Sequence, residues 1–504
     1  MYSIIRAISD AMRTSTATRH NSTSTRNTLE KKAFAKALKL FREAASRIPA
    51  YKDFLKREKI RPSLIRTPSD FAQVTPMDKA NYISRYDLED LSWDGALSLA
   101  RYVSTSSGST GTPFFWPRGR KQDIAVGEMV RRVYEDIFDS KRGSTLFVDS
   151  FALGTWIAGL EFYNATRWTA DRGSHIIIST PGIDRTEAIN QIQKLAPLFD
   201  RVVLGGYPPF VKDIIDQGTI AGISWSSFDV RLMVAGEAVS LPWQDKILSM
   251  IGKQGDMRSF VNIYGMADAG VVAYQTPFST LVRQLLTEEE RVTDASVNAS
   301  RITGVYQYDP LIRYFEHVEN DGLYLTSDSG VPLIRYDTRD TGGILHHTEL
   351  IGSDTRGTLL RDMARKARVD PNAWQMPLVY LYGRKDLSIT LYALNIYVEN
   401  IKHALETSSC ASLLSGMFTM AVEHTETLDQ QFVLTIELAI GSEPSASLVE
   451  KLTADIVSDL CSLNSEYAKL SASVGDRARP KVVLVKNGEI QTLRGRKHKW
   501  ITRA

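Results

Sequence analysis

The sequence predicts an α/β protein in two parts: a large N-terminal domain of layered, helix-covered sheets, and a small, mobile α+β domain at the C-terminus. Three observations carry that expectation. The chain has 504 residues, more than one hydrophobic core organises, so at least two folding units are needed. Short apolar runs at 145–150, 175–179 and 201–204 alternate with helical stretches such as 185–198, the pattern of a mostly parallel sheet covered by crossover helices. After Gly383-Arg384 the alternation shortens to a helix at 398–405, a strand at 431–438 and a helix at 447–461. The expected division is a flexible polar leader at 1–30, a large domain at 31–383 and a small domain at 384–504.

Along the chain, RTSTATRHNSTSTRNT is rich in Ser, Thr and Arg and free of acids. That is the composition of a transit peptide and equally of any polar leader. Residues 28–57 read as helix, with Leu29, Phe34, Ala37, Leu38, Leu40, Phe41 and Ala45 at helical spacing, ending near Ile48-Pro49-Ala50-Tyr51. A further helix is expected to begin at Ser69 or Asp70, both capping residues. Residues 101–122 form a Ser- and Gly-rich loop. The charged stretches 280–299 and 352–373 read as loops, and 322–340 as a strand pair turning at Ser329-Gly330.

Composition narrows the function classes. Hydrophobic content of 43% and charged content of 24% are ordinary for a soluble globular protein. A net charge of +3, without a Lys/Arg stripe, argues against nucleic acid. The two cysteines, Cys410 and Cys461, make neither a disulfide framework nor a metal knuckle. No apolar run of about 18 residues is present, so no membrane span is expected. These traits point to a cytoplasmic protein. A basic tail (Arg494, Arg496, Lys497, Lys499) closes the chain.

Residues 104–113 read Ser-Thr-Ser-Ser-Gly-Ser-Thr-Gly-Thr-Pro. Hydroxyls and small side chains let backbone N–H groups approach a polyphosphate, although the Walker pattern is absent and a solvated linker has the same composition. Further motifs follow in order: Gly236-Glu237-Ala238; Ile263-Tyr264-Gly265-Met266-Ala267-Asp268; Pro332-Leu333-Ile334-Arg335-Tyr336-Asp337-Thr338-Arg339-Asp340; and Tyr382-Gly383-Arg384-Lys385-Asp386 running on to Asn395. This series resembles the motifs of the adenylate-forming (acyl-CoA synthetase) superfamily. RIPAYKDFL and VTPMDKANYI near the front are similar to its phenylacetate–CoA ligase branch.

The resemblance implies an AMP-forming ligase. A carboxylic acid, expected to be small or aromatic, would be adenylated with ATP and Mg²⁺ and its acyl group passed to a thiol, coenzyme A first among them. Ser106, Ser107, Gly108, Ser109, Thr110 and Gly111 would hold phosphates. Gly236, Glu237 and Ala238 would border the nucleotide with Tyr264, Gly265 and Met266, Tyr264 lying on the adenine. Asp340 would take the ribose hydroxyls and Arg384 the ribose or phosphate. Asp268 would hold Mg²⁺, directly or through a water, and Lys497 would meet the α-phosphate. Asp386 would be the hinge, and Tyr392-Ala393 would line the acceptor tunnel. Phe151, Trp156, Tyr163 and Tyr207 fall where the acid pocket forms in such enzymes, though aromatics at these positions are equally core residues. A homodimer is common in this branch.

Three departures from the family pattern bear on turnover. Thr112 replaces a lysine often found in the phosphate loop, Ala267-Asp268 replaces Ser/Thr-Glu, and Tyr392-Ala393 replaces Arg-Gly. They leave open an amide- or ester-forming or carrier-protein-acylating synthetase, and a degenerate nucleotide-binding relative without turnover. His346-His347 lacks the partner spacing of a metal site, and Cys410 reads as a buried thiol.

Overall fold

The computed structural model describes residues 22–105, 114–154, 157–293, 302–352, 354–384, 388–391, 394–424, 430–490 and 500–501. Its centre is an eleven-stranded sheet in the order β10-β11-β12-β13-β9-β8-β7-β6-β5-β3-β4. The strands are β3 (Thr145–Ser150), β4 (Ile176–Ser179), β5 (Arg201–Gly206), β6 (Val230–Ala235), β7 (Phe260–Met266), β8 (Gly270–Tyr274), β9 (Gly304–Gln307), β10 (Tyr314–Val318), β11 (Gly322–Ser327), β12 (Leu333–Leu345) and β13 (Leu378–Arg384). Only β4-β3-β5-β6-β7 run parallel. The pairs from β7–β8 through β10–β11 are antiparallel, which corrects the expectation of a mostly parallel sheet. The reason is connection length: a turn as short as 328–332 joins antiparallel neighbours, whereas parallel ones need a crossover.

The strand alternation explains the layering. Leu146 and Val148 of β3 face one core, with Val202, Leu204, Leu232 and Val234. Phe147 faces the opposite one, with Val203, Met233 and Val261. This is the two-residue period of a strand buried on both sides. The first face is covered by helices Arg185–Leu195, Pro208–Ile220 and Leu241–Met250. The second is covered by Arg120–Arg132, Ile157–Ala170 and Pro277–Thr293. β8 and β9 pair only through Tyr274 and Gln307. The antiparallel half folds over there, and Tyr306, Phe315 and Leu325 pack against Tyr264, Val272 and Ala273.

Local expectations fared unevenly. The first helical stretch is two helices, Ser22–Arg47 and Pro49–Arg57, because Pro49 forces an extended Ile48 and then opens the next helix. The following helix starts at Pro68, capped by Thr67 in a reciprocal box with Asp70, rather than at Ser69 or Asp70. The stretches 280–299 and 352–373, read as loops, contain helices Pro277–Thr293 and Thr355–Lys366. Phe278, Leu281, Val282 and Leu285 in one, and Leu360 and Ala364 in the other, sit at helical spacing and are buried. The charged residues of these stretches hid that period.

Beyond β13 the chain builds a separate core from Ile389, Ile396, Ile401, Phe418, Leu434, Leu452 and Trp500. It holds the hairpin β14 (Ser388–Leu391) and β15 (Leu394–Tyr397) and a three-stranded sheet of β16 (Leu414–His424), β17 (Gln430–Leu438) and β18 (Lys481–Val485). β17 and β18 are parallel, with helices Ala446–Leu463 and Ser465–Val474 as the crossover. Among the described residues, no helix is long and apolar enough to cross a membrane.

Candidate nucleotide and acyl site

Residues 106–113 lie outside the described residues, as do Trp156, Asp386, Tyr392, Ala393 and Lys497. The strands that frame the first of these segments are described. β1 (Ala100–Thr105) and β2 (Phe115–Gly119) form an antiparallel hairpin closing on the pair Thr105–Phe115. Its base is tied to the sheet by Arg118. This side chain is 1% exposed; its Nε donates to Ser104 Oγ at 2.9 Å, and an Nη donates to the carbonyl of Ala267.

A buried guanidinium needs a counter-charge. Glu161 supplies one from helix Ile157–Ala170, and the charge of Arg313 also acts on it. Burial pushes the Glu161 carboxyl up, and the charges of Arg118 and Arg313 pull it back. Gly270, in the left-handed region at φ +76°, is required here: a Cβ would stand 2.1 Å from Glu161 Oε1. Sequence reading did not single out Arg118 or Glu161. An arginine on a strand and a glutamate in a helix carry no signal that both point inward.

Asp268 sits in the turn between β7 and β8. Its carboxylate accepts the hydroxyl of Tyr336 and lies 3.8 Å from Lys79 Nζ. Both partners occur within quoted motifs, yet neither was given a role. Lys79 arrives because the N-terminal segment docks on β12: Asp337 N donates to the carbonyl of Met77 at 2.8 Å.

β12 is irregular where it matters. Arg335 and Arg339 take positive φ values of 47° and 64°, an uncommon conformation for side-chain-bearing residues. Each is held there. Arg335 Nε pairs with Glu316 at 3.0 Å and its Nη1 donates to the carbonyl of Ala72 at 2.7 Å. Arg339 reaches Asp78 at 3.0 Å. Between and beside them stand Tyr336 and Asp340. Asp340 is buried and accepts the hydroxyl of Tyr264; Tyr264 in turn stacks on Phe315 with centroids 6.3 Å apart. Backbone pairing sets Arg384 opposite Asp340.

The Gly236-Glu237-Ala238 turn follows β6. Gly236 has φ +107°, and a Cβ there would meet the Tyr207 ring at 3.2 Å. The Glu237 carboxylate accepts the Tyr207 hydroxyl at 2.5 Å and pairs with Lys402 at 2.8 Å. Its backbone carbonyl accepts from Asn262 Nδ2 at 3.2 Å. Gly265 and Met266 close β7 beside the Asp268 turn, where a Cβ on Gly265 would lie 3.3 Å from the Gly270 carbonyl. Tyr264, Asp340 and Asp268 are thus brought to one region.

Of the four aromatics expected near the acid, Trp156 lies outside the described residues, and Phe151 and Tyr207 follow the paired strand ends Ser150 and Gly206. Phe151 stacks on Phe162 at 4.6 Å inside one core; Tyr207 packs in another and serves Glu237. Tyr163 is half-buried. Among the described residues, no group of three or more His, Cys, Asp or Glu is placed to hold a metal. His347 Nε2 lies 2.6 Å from the Pro371 carbonyl, His346 pairs with Glu30, and Cys410 is buried, in line with structural roles.

No family model matches the sequence, and no curated protein matches it. Solved structures do match in shape. A 2-hydroxyisobutyryl-CoA ligase in its postadenylation state with R3-HIB-AMP is 14% identical, over 94% of this chain and 89% of that one, with a TM-score of 0.68. The same ligase with 2-HIB-AMP is 15% identical at a TM-score of 0.66, with the same coverage. In its thioesterification state with 2-HIB-AMP and CoA it is 16% identical, again over 94% and 89%, and the TM-score falls to 0.54. At these identities the likeness is one of fold: this chain is folded like that solved ligase.

Proposed function

We propose that the chain is an AMP-forming carboxylate ligase. The observation that carries this reading is the meeting of Tyr264, Asp340 and Asp268 beside the β1–β2 hairpin, on a fold that houses acyl-adenylates in its structural neighbours. Asp340, a carboxyl with two oxygens, is suited to a pair of ribose hydroxyls. The Tyr264 hydroxyl already fixes one of those oxygens. Tyr264, Gly265, Met266 and the Gly236-Glu237-Ala238 turn would wall the nucleotide, with Arg384 at its ribose or phosphate. The residues 106–111 would wrap its β- and γ-phosphates. Residues 31–383 would form the nucleotide- and acid-binding domain and 384–504 the moving one, hinged at Asp386.

Magnesium enters as the counter-ion of the substrate ATP. A single carboxylate fits that role, since Mg²⁺ bound to phosphates keeps several waters and asks little of the protein. Asp268 is the carboxylate available, oriented by Tyr336 and flanked by Lys79. An oxygen of the acid attacks the α-phosphorus, the bond to the bridging oxygen breaks, and pyrophosphate leaves. Lys497 would offset the negative charge that builds on the α-phosphoryl group, and positioning supplies the rest. An acceptor thiol then gives up its proton, attacks the acyl carbonyl and displaces AMP. Coenzyme A is the acceptor this reading favours, and a small carboxylic acid its substrate.

A second reading, in which the acceptor is an amine, a hydroxyl or a carrier protein, draws on Tyr392-Ala393 in place of Arg-Gly. The test of the main proposal is pyrophosphate release from ATP and Mg²⁺ across a broad panel of carboxylic acids, with wild type beside Lys497→Ala. Release that requires both a particular acid and Lys497 is expected. Silence across the panel with ATP still bound would instead mark a nucleotide-binding relative without turnover.

A further inference from the structure

Among the described residues, a buried ion pair joins the C-terminal unit to the nucleotide side of the molecule. Lys402 Nζ lies 2.8 Å from Glu237 Oε2, with the two side chains 13% and 11% exposed. The pair has an unequal build. Glu237 is fixed to the large unit by the Tyr207 hydroxyl on the same oxygen, by Asn262 on its backbone carbonyl, and by the tight turn at Gly236. Lys402 is fixed to the small unit. Its helix, Val398–Thr407, buries Ile401, Ala404 and Leu405 in that unit's own core. Its ammonium sits 4.2 Å from the ring centroid of Trp500, which packs on Phe418 at 4.6 Å and accepts from Met420 N at 2.8 Å.

One cation therefore joins the Gly236-Glu237-Ala238 turn to Trp500, and Trp500 stands three residues along the chain from Lys497. Two further polar contacts cross the same groove among the described residues: Lys246 Nζ donates to the Ala411 carbonyl at 3.3 Å, and the Ser240 hydroxyl hydrogen-bonds the Glu406 carboxyl. Lys212 in the groove is already engaged by Asp216 at 2.6 Å. Glu406, one helical turn from Lys402, adds a second carboxyl to the groove. A buried pair between two bodies behaves as a directional contact: moving one body leaves a charge without its partner, so the arrangement that keeps the pair is favoured.

We infer that Lys402 is a positioning residue for adenylation, clasping Glu237 to select the domain arrangement in which acyl-AMP forms and releasing it for acyl transfer. The inference rests on the adenylating function proposed above. The higher overlap with the postadenylation complexes than with the thioesterification state supports the same assignment, since the present arrangement is the one that holds the pair.

Zero-length carbodiimide coupling of the wild-type chain tests the clasp without turnover. The Glu237 carboxylate, once activated, joins the Lys402 amine with loss of the activated oxygen as urea, and peptide mass spectrometry reads the amide. The amide is expected, and more of it with ATP and Mg²⁺ than without. Its absence under both conditions overturns the clasp. With an acid from the substrate panel, Lys402→Met is expected to slow pyrophosphate release about 10-fold, within the usual range of coupling between sites. Its KM for ATP and its rate of acyl transfer from supplied acyl-adenylate are expected to stay near wild type. Lys402→Arg, which keeps the cation, should recover most of the loss. Equal loss in both half-reactions, or no rescue by Lys402→Arg, would reduce Lys402 to a structural contact. A panel that yields no pyrophosphate removes the adenylation reading, and the amide still decides whether the two units are clasped.

Discussion

Tyr264 and Asp340 lie 76 residues apart and on strands with three others between them in the sheet order, yet the Tyr264 hydroxyl donates to the Asp340 carboxylate. They meet because the sheet folds over at the single β8–β9 pair, Tyr274–Gln307. The contact orients one carboxylate oxygen. Asp340→Ala is expected to weaken ATP binding by about 1.5–3 kcal/mol, the range for hydrogen bonds to a charged group, and Tyr264→Phe by about 1 kcal/mol. Isothermal titration with ATP and Mg²⁺ checks both. Unchanged affinity in Asp340→Ala would remove that residue from the ribose site.

Asp268 has a different expected signature. Its partners, Tyr336 and Lys79, come from two segments far apart in sequence, an arrangement that holds a carboxylate in place without enclosing it. Asp268→Asn keeps the shape and removes the charge. Pyrophosphate release should fall by about 10²–10³-fold, as for other preorganised electrostatic groups in a transition state, and the Mg²⁺ concentration for half-maximal rate should rise. ATP affinity measured without metal should change little. A Mg²⁺ dependence identical to wild type would assign the residue to packing.

Tyr392-Ala393 bears on the acceptor. If a phenol and a methyl narrow the passage to the acyl group, Tyr392→Arg with Ala393→Gly should raise the kcat/KM for coenzyme A several-fold while leaving pyrophosphate release alone. Hydroxylamine, small enough to ignore the passage, should capture acyl groups equally from both forms. Equal coenzyme A use by the two forms would place the acceptor preference elsewhere.

How far the sequence could be read follows from what kind of signal each residue leaves. Strands 145–150 and 430–438 were legible because burial on both faces, or on one, writes a pattern of period one or two. The helix Pro277–Thr293 was missed because the charged sequence TEEER weighed more in the reading than Phe278, Leu281, Val282 and Leu285, which kept the helical period. Asp268 and Asp340 were legible through motifs. Arg118, Glu161 and Lys402 were not: each matters through a partner at least 40 residues away, and no local pattern announces an ion pair that only the folded chain assembles.

Asp149 gives a test of the scaffold that does not depend on the function. It lies next to the C-terminal end of β3, fully buried, with Oδ1 accepting from Phe151 N at 3.2 Å and Oδ2 unpartnered among the described residues. Burial pushes its carboxyl well above the usual carboxylate range, the one backbone hydrogen bond pulling back. The folded chain therefore holds this proton while the unfolded chain releases it above about pH 3.9. Where the unfolded state binds fewer protons, stability falls as pH rises. The contribution is full below the unfolded value and is lost progressively up to the raised folded value, at about 1.4 kcal/mol per unit of separation. Asp149→Asn has nearly the same shape, carries a neutral group, and has no such slope. Thermal melts should show the variant more stable than wild type at pH 7–8, the gain shrinking steadily to nothing near pH 4. A gain of the same size at every pH would mean better packing rather than a lost titration, and a loss at neutral pH would mean that the native carboxylate is ionised and paired.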